Sequence, residues 1–381
     1  MARQATMYST LKRCLFILVC FLIVSPTAFT AQETICPFQH IYQFGDSISD
    51  TGNIILKGGL ASVSPSSRLP YGMTSFHRPT GRCSNGLLMI DFISRALNLP
   101  LLDPYLKRTG VFNQGVDFAV AGSTALDTSF FQARNIPVPI SNTPLSAQMQ
   151  WFKDHLKSVC RSPSDCAARL QRSLIMMGEI GGNDYNHAFF NGKSIQEVRT
   201  YVRHVVSAII NGVREVVRLG AVRVVVPGNF PIGCIPIYLT SFANPDPEAY
   251  DQMGCLREVN EFARYHNNYL QRALHSLRQK LKRDNPNVVV VYADYYGALE
   301  SVLARAPFLG FDRGSLLKSC CGIGGIYNYD GRRMCGTPGV PVCREPEKYI
   351  HWDGIHMTQK AYRHMSEFLI SDMLSKMQCV W

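Results

Sequence analysis

Two runs of almost unbroken β-branched residues, AVRVVVPG at 221–228 and NVVVVYAD at 287–294, constrain the fold of this chain more than any other feature. A strand that covers a core with one face alternates apolar and polar residues, whereas a strand apolar at nearly every position is buried on both faces. Three further short runs, HIYQFGD at 40–46, GVDFAVA at 115–121 and SLIMMGE at 173–179, read as strands of the same sheet. Helical patterns separate most of them, at 86–97, 145–159, 194–219 and 259–282. A last helix is expected at 358–375, where Met357, Ala361, Met365, Phe368, Leu369 and Met373 recur at helical spacing behind Thr358 as N-cap. Strands alternating with helices predict an α/β fold, a three-layer doubly wound sheet of about five parallel strands with helices on both faces.

The first residues stand apart from this pattern. Arg3, Lys12 and Arg13 precede the apolar run CLFILVCFLIV, and the small-residue stretch SPTAFTA follows it. A basic front, a short apolar run and a small-residue exit predict a cleaved signal peptide over 1–31, the run being too short for a comfortable membrane span. Residues 32–381 then form one domain, without internal repeat or linker-like shift in composition. The composition, 46% apolar and 18% charged, is that of a globular protein rather than a disordered one.

Entry into the secretory pathway changes the meaning of the cysteines. Eleven of the thirteen lie after the leader, none in a C-x-x-C pair, so disulfides are a better reading than a metal framework. Cys160 with Cys166, and pairs within 320–343, are the expected bridges. An odd number leaves one thiol over or pairs it between chains. The formal net charge of +11 falls to about +8 without the leader. Its densest cluster, RQKLKRD at 278–284, reads as the solvated end of an amphipathic helix, because no aromatic residues interleave it as nucleic-acid binding requires.

In open α/β sheets, sites form beyond the carboxyl ends of the strands. Four glycine-bearing polar loops fall there: GDSISDTGN, AGSTALD, IGGNDY and PGNFPIGC. The first offers Ser47 and Ser49 as nucleophiles. A serine nucleophile needs a base, a group to orient the base and donors for the oxyanion. No G-x-S-x-G elbow exists in the chain, which disfavours an ordinary α/β-hydrolase. HWDGIHMT, just before the last helix, places Asp353 three residues from His356, close enough for the carboxylate to hold one imidazole nitrogen and leave the other for a serine proton.

With FGDSISDTGN, FAVAGSTALD, GGNDY and WDGIHMT in this order, the chain resembles the plant GDSL esterase/lipases of the SGNH hydrolase superfamily. PYG at 70–72, PTGRCSNG at 79–86, PIGC at 231–234 and CCGIGGIYNYD at 320–330 extend the resemblance over nearly all of 32–381. Ile48 stands where the family usually has leucine. The resemblance implies a flavodoxin-like sheet and gives Ser47 the role of nucleophile, His356 that of general base and Asp353 that of its partner. It implies an oxyanion hole built from the backbone N–H of Ser47, the backbone N–H of Gly122 and the side-chain amide of Asn183. Asp46 and Asp50 brace the loop, Ser49 falls outside the matched position, and no metal or organic cofactor is needed.

The opening segment and the CCGIGG block are similar to a plant subgroup that removes small acyl groups from specialised metabolites. That implies a secreted serine esterase acting on an acetyl-like ester of an alkaloid or phenolic compound, with no nucleic-acid partner and no membrane span after cleavage. The apoplast is the expected destination, the vacuole the alternative. An acyltransferase using an alcohol acceptor at the same site, a general lipase, and a non-catalytic wall protein on the same scaffold are the competing readings. The proline-rich insertion at 130–146 either lines the substrate pocket or packs as a surface loop.

Overall fold

The computed structural model describes residues 38–137 and 141–377. The leader, Cys36, Cys379 and part of the 130–146 insertion lie outside the described residues.

Five strands form one sheet: β1 (His40–Phe44), β2 (Gly115–Asp117), β3 (Ser173–Met177), β4 (Arg223–Pro227) and β5 (Val289–Ala293). Their order is β2-β1-β3-β4-β5 and every pairing is parallel, in register from Ile41 opposite Gly115 to Pro227 opposite Ala293. Expected and observed strands coincide except at their ends. β2 is shorter than its run, yet Phe118 and Val120 still donate to the carbonyls of Gln43 and Gly45 at 2.7 and 3.1 Å, so the chain stays extended beside β1.

Helices α1 (Met89–Ala96), α2 (Leu145–Val159), α3 (Gly182–Phe189), α4 (Val202–Arg218), α5 (Arg257–Asp284), α6 (Tyr295–Ala304) and α7 (Gln359–Lys376) surround it. On one face α2, α4 and α5 pack side by side against β3 and β5; on the other, α7 lies between α1 and α6 and against β5. The sheet is therefore the middle of three layers. Its apolar strands bury both faces, as continuous valine runs demand. Phe152 of α2 packs edge-on against Tyr42, Phe44 and Phe118 with ring centroids 5.2–5.8 Å apart, and it is fully buried. Truncating such a residue to alanine costs about 3–5 kcal/mol.

The α7 stripe holds with one correction. Ala361, Met365, Leu369 and Met373 are buried, but Phe368 is 43% exposed, because the i, i+4 row already fills the contact with the sheet. Thr358 caps the helix as expected, accepting the Ala361 N–H at 3.3 Å. The expected helix at 194–219 divides into Ile195–Arg199 and α4. Several helices lie outside the expected spans, among them Pro163–Gln171, α3 and α6. α3 grows out of a Gly-Gly-Asn-Asp sequence that reads as a turn, and α6 follows Asp294, whose side chain accepts the Gly297 N–H at 3.0 Å. The basic stretch at 278–284 ends α5 with Lys280, Lys282 and Arg283 exposed. Among the described residues no helix is long and apolar enough to cross a membrane.

Four disulfides close among the described residues: Cys160–Cys166, Cys234–Cys255, Cys320–Cys343 and Cys321–Cys335. Cys83 is a buried free thiol.

Candidate active site

Strand order reverses between β1 and β3, where crossovers leave in opposite directions, and a crevice opens there at the carboxyl ends. Ser47 follows β1 and Asn183 follows β3, so both stand at this crevice. His356 bridges from the far end of the chain. Its Nε2 lies 2.8 Å from Ser47 Oγ and its Nδ1 2.8 Å from Asp353 Oδ2. Asp353 and His356 are buried and Ser47 is half-buried.

The segment that carries Asp353 and His356 is shaped by its own backbone. Asp353 Oδ1 accepts the N–H groups of Ile355 and His356 at 2.9 and 2.8 Å, closing a tight turn. Gly354 provides the required left-handed conformation at φ +91°, and a Cβ there would sit 2.2 Å from Tyr329 Cδ2. Burial alone would raise the Asp353 carboxyl; the His356 charge, its ring nitrogen and these backbone donors outweigh it and hold the group below its ordinary range. The CCGIGG block flanks the turn, with Cys320 and Cys321 donating to the carbonyls of His351 and Trp352 at 3.0 and 2.7 Å.

Two carboxylates fasten the loop that carries Gly122. Asp50 Oδ2 accepts the Ala121 N–H at 2.8 Å, and the same side chain binds the N–H groups of Gly52, Asn53 and Ile54. Asp184 takes the N–H groups of Ala125 and Leu126 at 2.8 and 2.9 Å. Three of the sequence blocks are thus laced together by acceptors bound to backbone donors. Burial raises both acids, Asp50 to about 6 and Asp184 to about 7, against the pull of those donors. Asp46 braces the loop that carries Ser47 through the Ile48 N–H at 3.0 Å, and burial pushes its carboxyl well up.

Gly122 has φ +79°, a conformation only glycine adopts without strain. The Asn183 amide nitrogen lies 3.2 Å from Asp46 Oδ2 and 3.1 Å from the Ser123 carbonyl, beside the Ser47 loop. Its oxygen accepts from Asn186 Nδ2 at 3.2 Å, and Asn186 in turn accepts from the Tyr238 hydroxyl. This relay fixes which way the amide faces.

Ser47, Gly122, Asn183, Asp353 and His356 all line one cavity of about 360 Å³. Phe190, Phe230, Ile232, Tyr238, Ile355 and Met334 give much of the remaining wall. That size and lining suit a small, largely apolar ligand. Ser49 is not part of the site: it is 2% exposed and packs under Gly45, where a Cβ would meet its Oγ at 2.6 Å. The described residues of the 130–146 insertion do not line the cavity; Phe131 joins the core and Ser141 packs behind Gly122.

Sequence reasoning gave no role to Asp184, Asn186 or Tyr71. Tyr71 donates to Asp353 Oδ2 at 2.7 Å across 282 residues of chain. Its only signal was membership of the PYG block.

A serine, a histidine and an aspartate in hydrogen-bond contact beside a braced glycine loop, at the switch point of a parallel sheet, mark the candidate site of a three-layer α/β hydrolase. The chain matches the GDSL-like lipase/acylhydrolase family over residues 41–369 and belongs to it. It is 47% identical over 350 residues to acetylajmalan esterase 1 of Rauvolfia serpentina, covering 92% of this chain and 90% of that protein. It is 49% identical over 348 residues to acetylajmalan esterase 2 of the same plant, covering 91% and 93%. A GDSL esterase/lipase of Arabidopsis thaliana is 51% identical over 345 residues, covering 90% and 92%. The protein is accordingly a carboxylic ester hydrolase of the plant GDSL type.

Proposed function

We propose that the protein is a secreted serine esterase that removes a small, acetyl-like acyl group from a plant specialised metabolite such as an alkaloid or phenolic ester. One observation carries the mechanism: His356 stands 2.8 Å from both Ser47 Oγ and Asp353 Oδ2 at the wall of the cavity. Ser47 Oγ attacks the ester carbonyl while His356 Nε2 takes its proton. The N–H groups of Ser47 and Gly122 and the Asn183 amide receive the oxyanion. Collapse of the tetrahedral intermediate breaks the bond to the alcohol oxygen, which leaves with the proton from His356. Water, giving a proton to the same nitrogen, then attacks the acyl-serine; collapse breaks the acyl–Oγ bond, Ser47 Oγ takes that proton back from His356, and the acid is released.

The small-acyl reading is supported by the modest cavity and by likeness to enzymes named for an acetylated compound. Secretion is supported by the leader-like sequence at 1–31 and by the disulfides, which persist in oxidising compartments.

The test is turnover of p-nitrophenyl acetate and a long-chain p-nitrophenyl ester by wild type and Ser47→Ala, with and without a competing alcohol. Fast acetate cleavage lost in the variant is the expected result. Transfer to the alcohol without hydrolysis in its absence would replace the esterase by an acyltransferase. Preference for the long chain would make it a lipase.

A further inference from the structure

We propose that Tyr71 is a positioning residue of the catalytic chain: its hydroxyl pins the Asp353 carboxylate and lowers the basicity of His356. The inference rests on the reading of Ser47, His356 and Asp353 given above.

Asp353 is held by four donors. Three belong to its own turn, the N–H groups of Ile355 and His356 on Oδ1 and the His356 ring on Oδ2. These would accompany any Asp-x-x-His turn of this shape. The fourth is the Tyr71 hydroxyl, which donates at 2.7 Å to the oxygen that also faces the imidazole. One carboxylate oxygen therefore divides its charge between a phenol and an imidazole.

Tyr71 is set for this. It is 1% exposed, and its ring meets Trp352 edge-on at 6.0 Å. Its segment is tied down by the Gly72 N–H on the Ser84 carbonyl at 3.0 Å and the Thr74 N–H on the Asn85 carbonyl at 2.8 Å. Asn85 itself accepts the Gln359 N–H at 2.7 Å, joining this segment to the start of α7. The hydroxyl stays a donor, because burial and then the Asp353 charge push its ionisation well above the ordinary range.

The other titratable groups around Asp353 carry little charge to offset it. Burial pushes Cys83, Tyr329 and Tyr362 up and His351 down to about 3, leaving all four neutral at neutral pH. Asp46, Asp50 and Glu179 are also raised by burial. Among these neighbours the phenol is the one that hydrogen-bonds the carboxylate. Without it, negative charge concentrates on the oxygen facing the ring and strengthens its hold on the protonated imidazole.

Tyr71→Phe keeps the ring against Trp352 and removes only the donor. The expected result is a drop in kcat/KM of about tenfold, carried by kcat, with the acid limb of the pH profile displaced upward by about half a unit or more. In an Asp353→Asn background the same change should cost nothing further. 3-Fluorotyrosine at position 71, a stronger donor of nearly the same shape, should displace the acid limb downward. An unmoved acid limb in a folded Tyr71→Phe or fluorotyrosine protein, or additive losses in the double variant, would overturn the proposal. Ser47→Ala run alongside separates the two readings. If it stays active, the catalytic assignment itself falls; if it is dead while the acid limb of Tyr71→Phe stays put, only the role of Tyr71 falls.

Discussion

Asp353 binds His356 twice: one carboxylate oxygen takes its backbone N–H at 2.8 Å and the other lies 2.8 Å from its ring Nδ1. The two contacts explain the spacing of three residues, since a longer turn would lose the backbone contact and a shorter one would turn the ring away. A single side chain thus sets both the path of the chain and the orientation of the imidazole.

Replacing Ser47 by alanine should lower ester turnover by at least about three orders of magnitude while leaving the protein folded. Initial rates on p-nitrophenyl acetate, together with thermal unfolding of both proteins, check it. Near wild-type turnover would remove Ser47 from the reaction.

Asn183→Ala should lower kcat by about 10²–10³ with a small change in KM, because in the proposed mechanism the amide meets charge that exists only in the transition state. Asn186→Ala should give a smaller loss in the same parameter, since it frees the Asn183 amide to rotate rather than removing it. Steady-state kinetics on one substrate distinguish the two.

His266, buried on α5 with Nδ1 2.7 Å from the Tyr185 hydroxyl, is lowered to about 4 by burial. The folded state therefore binds fewer protons than the unfolded state between that value and the ordinary 6.5. The stability this group contributes is present above pH 6.5 and is lost as pH falls towards 4. Between pH 7 and pH 5 wild type should lose about 2 kcal/mol relative to His266→Gln. The raised carboxyls Asp50 and Asp184 act in the opposite sense, so the difference between variant and wild type in urea unfolding is the quantity to measure.

The disulfides should differ in what they protect. Cys321–Cys335 anchors the segment hydrogen-bonded beside Trp352, one residue from Asp353, whereas Cys160–Cys166 lies between α2 and the start of β3, at the end of the sheet away from the crevice. Removing either pair by serine should cost about 2–4 kcal/mol of stability. Loss of Cys321 and Cys335 should also lower kcat/KM by at least about tenfold, and loss of Cys160 and Cys166 by less than about twofold. Equal activity in the two purified double variants would contradict this.

The sheet was legible because both-face burial writes itself into consecutive apolar residues, as in β4 and β5. The loops were legible because parallel strands deliver their carboxyl ends to one edge, which brings Ser47 and Asn183 together whatever lies between them. Helix α3 was not, since Gly181 and Gly182 argue for a turn and the helix is held instead by Asp184 reaching sideways to Ala125 and Leu126. Phe368 matched the apolar stripe yet faces solvent, because periodicity defines a face only to within one neighbour. Tyr71 was beyond any local pattern: its partner is 282 residues away, and hydrogen bonds at that separation leave no periodic trace.

Ser47 and His356 are 309 positions apart, one behind the first strand and the other before the last helix. In the proposed mechanism, a ribosome makes the nucleophile early and the base near the end of its task. Until His356 has been added and the chain has closed on itself, the nascent protein carries a serine with no group to activate it. On that mechanism catalysis is a certificate of completed synthesis, and a chain cut short before that histidine cleaves no ester.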